Sequence, residues 1–257
     1  MQEQDVQKRR KARQRKARRR RLKICFVFFL LIATVAFAIM CFTVLFPVKR
    51  ISVSGSELYS KAEIIKASGL TTDDNLLTLS QEKIEQKIRE SLPYVDSVRI
   101  KRNLPDAVVL TVTDAKEYSC FKVSDEYFIV SENGYVLNSR PEIPENVFEI
   151  AVSGVNCEVG KAVEYKNSAE AELVKTLVSL LNEKEINIDK IDVSNILNIT
   201  LEIENKFTVN LGANEYLEQK TAHLSGMIDS IGDRKGQINL SMWSPDNSQG
   251  SFVEKSE

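Results

Sequence analysis

The sequence predicts an α+β protein: a single N-terminal transmembrane helix, then a β-α-α-β-β domain, then a larger mixed-sheet β domain with two helices. Three observations predict it. Residues 24–46 run without a charge, a Pro or a Gly. Beyond them, short stretches alternating apolar and polar at period two are interleaved with segments whose apolar residues recur at i, i+3 and i+4. Finally, the 257 residues sum to a net charge of −1, yet Met1 to Lys23 carries +10 and the remainder −11, so the two parts suit different surroundings.

At 1.5 Å per helical residue the apolar run reaches roughly 34 Å, enough for a hydrocarbon layer of ~30 Å. A cleavable signal peptide is the competing reading, because Ala36-Phe37-Ala38 has the A-x-A form. The run continues through Ile39, Met40, Cys41 and Phe42 to Phe46, beyond the ~7–15 residues of a signal core, which favours an uncleaved anchor. The basic block Lys8 to Lys23 faces only Lys49 and Arg50 on the far side. Residues 1–23 are therefore expected to be a cytoplasmic arm, 24–46 the span, and everything from about residue 47 exported. The arm's arginines lack interleaved aromatics and a folded scaffold, so nucleic acid is not an expected partner, although lipid headgroups are within its reach.

The first exported domain is expected over residues 47–115. Val48 to Val53 alternates as a half-buried strand and Ser54-Gly55-Ser56 breaks it. Ser60 and Glu63 have the spacing of a capping box, which opens a helix that Gly69 closes. Ser80 opens a second helix with Ile84, Ile88 and Leu92 on one face, and Pro93 stops it. Two strands follow, Val95 to Arg102 and Val108 to Thr113, joined by Asn103-Leu104-Pro105-Asp106.

The second exported domain is expected over residues 116–243. Strands are read at Cys120–Val123, Tyr127–Val130 and Tyr135–Leu137, followed by a loop marked by Pro141 and Pro144. Asn167 and Glu170 suit a capping box for a helix striped by Leu173, Val174, Leu177, Val178 and Leu181. Ile188–Val193, Leu197–Ile203 and Phe207–Leu211 make a meander, with Glu204-Asn205-Lys206 as its tight turn. A last helix, capped at Asn214, carries Leu217, Leu224, Ile228 and Ile231 and leads into a final strand, Gly236 to Met242. From Ser244 the chain is polar and rich in breakers, so residues 244–257 are expected to be a flexible tail. Trp243 beside that strand suits either core packing or a contact anchor.

Chemistry is sparse. His223 is the only histidine, so HExxH and two-histidine metal sites are excluded, and no metal or cofactor is expected. Glu202 and Glu204 share a strand face and could serve as the paired carboxylates of a membrane-tethered cell-wall hydrolase, but their neighbours are polar as on any solvated face. No catalytic residue is assigned. Cys120 and Cys157 are in no metal-ligand spacing and read as small apolar side chains, with a bridge between them left open.

The segments SGSELYS, LPYVDSVRIKRNLPDAVVLTVTDAKEYS, IDKIDVSN, FTVNLGANEYLEQK and GQINLSM, in this order behind an anchor, resemble the POTRA and β domains of the bacterial cell-division family FtsQ/DivIB. The resemblance implies a non-catalytic scaffold of the divisome at the septal membrane. Its implied partners are small bitopic coiled-coil proteins of the FtsB/DivIC and FtsL types, and with them the septal peptidoglycan synthase. It also implies POTRA strand order 1-3-2, with the second strand at an edge. Carried onto this chain, partner contacts fall on Gln237, Ile238, Asn239, Leu240, Ser241 and Met242, with others on Val98, Arg99, Ile100 and Lys101. A sheet edge there would accept an added strand through its backbone. A POTRA chaperone of outer-membrane assembly is the remaining reading; it requires a β-barrel, for which the sequence has no strands.

Overall fold

A computed structural model of the chain describes residues 26–37, 40, 46–247 and 249–255. Residues 26–37 and 40 are helical (α1), with Phe, Leu, Ile and Val side chains exposed. The arm at 1–23 and part of the expected span lie outside the described residues. Among those described, no helix is long and apolar enough to cross a membrane.

The chain divides into two compact units: one holds residues up to Ser52 with Leu70–Ser80 and Ile100–Val109, the other everything else. In the smaller unit the chain is tied down as it leaves Phe46. The Leu76 N–H donates to the Phe46 carbonyl and the Val48 N–H to the Asp74 carbonyl, both at 2.9 Å. Arg102 donates to the Leu76 and Leu79 carbonyls at 2.8 and 2.7 Å. Arg50 bonds Asp106 at 2.7 Å and, as the largest influence, holds that carboxyl below its ordinary range. Strands β1 (Arg50–Ser54), β2 (Val95–Asn103) and β3 (Ala107–Asp114), only parts of which fall in this unit, form a sheet in the order β1-β3-β2, as the resemblance implies.

In the larger unit, α2 (Lys61–Ser68) begins with the reciprocal Ser60–Glu63 box and ends on Gly69 in the left-handed conformation. Helix α3 (Gln81–Ser91) buries Ile84 and Ile88. The rest is a nine-stranded mixed sheet. Its strands are β4 (Glu117–Val123), β5 (Glu126–Ser131), β6 (Val136–Arg140), β7 (Phe148–Ala151), β10 (Ile188–Asp192), β11 (Ile199–Ile203), β12 (Phe207–Gly212), β13 (Gly236–Asn239) and β14 (Ser251–Glu254). Their spatial order is β14-β13-β12-β11-β10-β7-β4-β5-β6. A separate ribbon pairs β8 (Val155–Asn156) with β9 (Glu164–Tyr165).

Three parallel contacts organise this sheet: β4 with β7, and the two that helices bridge, β7 with β10 and β12 with β13. A parallel neighbour needs a crossover, and for the latter two these are α4 (Ser168–Glu183) and α5 (Leu217–Ile231). Both helices contribute to one core: Leu173, Leu177 and Leu181 from α4 and Leu217, Leu224 and Ile231 from α5 meet Ile191, Leu201, Val209 and Ile238 from the strands. The turn at Glu204 and Asn205 has φ of 53° and 52°, as the Glu-Asn-Lys reading requires.

Three expectations are corrected. Asn167 caps α4, but the buried Glu170 carboxylate does not complete a reciprocal box; it accepts from the Ser153 N–H at 2.8 Å and from the Asn167 side-chain amide at 3.1 Å. Asn214 is not the cap of α5; Tyr216 holds that place in the left-handed conformation, with no side-chain bond. The tail is not uniformly free of structure, since Ser251–Glu254 forms β14.

Candidate functional site

The sequence reads Gln237–Met242, its principal expected contact, as an open edge, and in the structure this stretch is not an edge. Strand β13 stops at Asn239 and is flanked on both sides, by β12 in parallel and by β14 antiparallel. Ile238 and Leu240 are core residues, 1% and 0% exposed. Ser241 and Met242 form the turn that follows, with Met242 82% exposed. Trp243 is buried and its ring lies 6.0 Å from that of His223, so it packs.

The open edge is one strand further out, and the hydrogen-bond alternation says which groups it offers. Gly236 and Leu240 donate to the Lys206 and Asn210 carbonyls on the β12 side, and Lys255 donates to the Lys235 carbonyl on the β14 side. Backbone direction alternates along a strand. Lys235, Gln237 and Asn239 therefore face β14, and within β14 Ser251 and Val253 face back. The N–H and C=O of Phe252 and Glu254 point outward, where no strand pairs them among the described residues. Val253 is 64% exposed. Phe252 turns to the helical side, its ring 6.5 Å from Phe207 and 5.2 Å from the Arg234 guanidinium.

The second set of candidates, Val98, Arg99, Ile100 and Lys101, lies on β2, the outer strand of the three-stranded sheet. Val98 is buried, Ile100 half-buried, and Arg99 and Lys101 are exposed, as on a strand guarded by charge.

The hydrolase candidates lie in separate surroundings. Glu202 is exposed and sits across from Lys190, Glu204 is 3.6 Å from Lys206, and His223 lies against Trp243. Among the described residues no cluster of three or more His, Cys, Asp or Glu could hold a metal. Cys120 and Cys157 are unbridged. Burial pushes the two thiols up, to about 12 and about 11.

β14 carries only two apolar residues in four, behind Ser-Pro-Asp-Asn-Ser-Gln-Gly. The signal that could have found it is Phe252-Val253, an apolar pair placed where a strand could return to β13.

A three-stranded α/β unit followed by a mixed sheet with one edge left open defines a class of protein suited to lending its backbone to another chain. The family model described as "POTRA domain, FtsQ-type" matches residues 46–114. The chain is similar to cell division protein DivIB of Clostridium tetani, with 26% identity over 76% of each chain. It is similar to cell division protein DivIB of Bacillus subtilis, with 24% identity over 93% of this chain and 87% of that one. With cell division protein FtsQ of Streptomyces coelicolor the identity is 23% over 73% of this chain and 72% of that one. Residues 46–114 thus match the FtsQ-type POTRA family, and most of the chain is similar to cell division proteins DivIB and FtsQ.

Proposed function

We propose that this chain is a non-catalytic, membrane-anchored scaffold of the bacterial divisome. It captures a strand of a small bitopic coiled-coil protein of the FtsB/DivIC or FtsL type and so helps to localise and regulate septal peptidoglycan synthesis. The observation that carries the reading is the outward-facing backbone of Phe252 and Glu254 on the last strand of the nine-stranded sheet. Main-chain pairing there supplies affinity, and every second side chain supplies selectivity. Val98–Lys101 on β2 serve as a second contact for other division proteins. In this reading residues 1–23 are cytoplasmic, 24–46 anchor the chain, 47–115 are the POTRA domain and 116 onward the β domain. The basic flank and uncharged run support that topology.

The test uses the alternation. Pro at 254 removes an outward N–H and leaves the bonds between Val253 and β13 in place. Glu254→Pro in the full chain should weaken capture of the purified FtsB/DivIC-type protein roughly tenfold or more, the size of effect expected when an interface loses a ladder bond and its geometry. Undiminished capture by a folded Glu254→Pro protein would sink the edge assignment. The hydrolase reading has no observation in its favour.

A further inference from the structure

The exposed strand β14 is connected to β13 by a long loop, and three of its four residues are exposed. Besides its backbone pairing with β13, it is held by one side chain and by close packing over two glycines. Phe252 sits between Phe207 of β12 and Arg234 just beyond α5, and it lies opposite Ile238 in the register. Gly236 leaves room for this packing: a Cβ there would come within 2.7 Å of the Phe252 ring and 3.0 Å of the Glu254 Cα, and would collide with the Val253 carbonyl oxygen. Gly250 does the same at the start of the strand, where a Cβ would meet Leu240 at 2.7 Å and Met227 at 2.8 Å. Neither Phe252 nor Gly236 projects its side-chain position beyond the outer edge, because both lie on the face that α5 covers.

We infer that Phe252, seated in the Phe207–Arg234 jaw over Gly236, is a positioning residue that docks β14 and thereby creates the edge offered to a partner. This rests on the edge reading above, and it adds that capture is controlled from behind the strand. Losing the Phe252 ring releases β14 while β12 and β13 stay paired, since Ile238 and Leu240 remain in the core.

Amide hydrogen exchange on the full chain reads this directly. Gln237 and Asn239 face β14, whereas Gly236 and Leu240 donate to β12. In Phe252→Ala and in Gly236→Ala, exchange at Gln237 and Asn239 should rise roughly tenfold or more, as for a local opening, with Leu240 unchanged. Phe252→Leu should restore most of the protection. Unchanged exchange at Gln237 and Asn239 in both variants would overturn the proposal, as would equal loss at Leu240, which would mean that the variants unfold the sheet. Capture of the purified FtsB/DivIC-type protein separates the two readings. Released β14 with undiminished capture sinks the edge reading alone; intact protection with lost capture means Phe252 touches the partner, and sinks this one.

Discussion

The nine-stranded sheet ends in two outer strands, and the chain treats them oppositely. At β6 the outer side is occupied by the chain itself: the Val136 N–H donates to the Lys161 carbonyl and the Gly160 N–H to the Val136 carbonyl, both at 2.9 Å. Its side chains are tied as well. Arg140 pairs with Glu117, the Tyr94 hydroxyl donates to Glu117 at 2.7 Å, and the Asn138 amide is 2.7 Å from that hydroxyl. Burial, reinforced by the bond to Glu117, pushes Tyr94 up to about 12. At β14 no strand covers the outer side among the described residues, and Phe252 alone packs. An open edge invites unwanted pairing, so leaving one open in a sheet that seals its other end points to use.

The sealed end should therefore carry stability and the open end recognition, and substitutions at each should separate the two. The largest effect is expected at Arg89, which is 8% exposed. Its guanidinium donates to Glu85 and to the Asp96 carbonyl, each at 2.6 Å, and lies 3.7 Å over the Tyr135 ring just before β6. Arg89→Ala leaves a part-buried carboxylate and a carbonyl without their donor. A loss of about 3 kcal/mol in urea unfolding is expected, with capture by the remaining folded protein unchanged. A loss under about 0.5 kcal/mol would mean that the seal is ornamental.

How much of this can be read in the residues follows the same division. The sealed parts are dense in local signals: Ser60 with Glu63, Gly69, Pro93 and the alternation of Val108, Leu110 and Val112 each specify an element that the structure contains. The match to the FtsQ-type POTRA model falls on this signal-rich stretch, residues 46–114. The open end is assembled from distant pieces. Strand β14 reaches β13 only by tertiary pairing across a polar loop, and a four-residue strand with two apolar residues has no periodicity to detect. Local pattern therefore puts the edge one strand too early. The same reasoning explains Glu170, whose spacing suits a capping box but whose carboxylate is recruited by Ser153, seventeen residues away in sequence.

A smaller effect is expected at Val253, the exposed apolar residue of the open edge. Natural edges are protected by lysine, so Val253→Lys should make β14 resemble β2 with its Arg99 and Lys101. Capture should fall roughly tenfold, about 1.4 kcal/mol, while unfolding changes by less than about 0.5 kcal/mol. Calorimetric titration with the FtsB/DivIC-type protein checks the first and urea melts the second. A protein destabilised as much as Arg89→Ala would show that the edge is structural after all.

The smallest perturbation uses the two cysteines, which lie away from β14: Cys120 on β4, beside β5 and β7, and Cys157 just after β8. Burial pushes Cys120 up to about 12, with the Glu149 charge adding to it, and pushes Cys157 up to about 11. Only thiolate alkylates, and an unfolded thiol has a pKa near ~8.5. Native protein at pH 8 should therefore react with iodoacetamide far more slowly than unfolded protein. The linkage has a definite sign. Each folded pKa is raised, so the thiols' contribution to stability is intact below pH ~8.5 and is lost as pH rises toward 11 and 12. Because labelling reports opening of that part of the sheet, Arg89→Ala should accelerate it and Val253→Lys should not. Equal acceleration by both would mean that the two ends open as one cooperative unit, and the division of labour between them would fail.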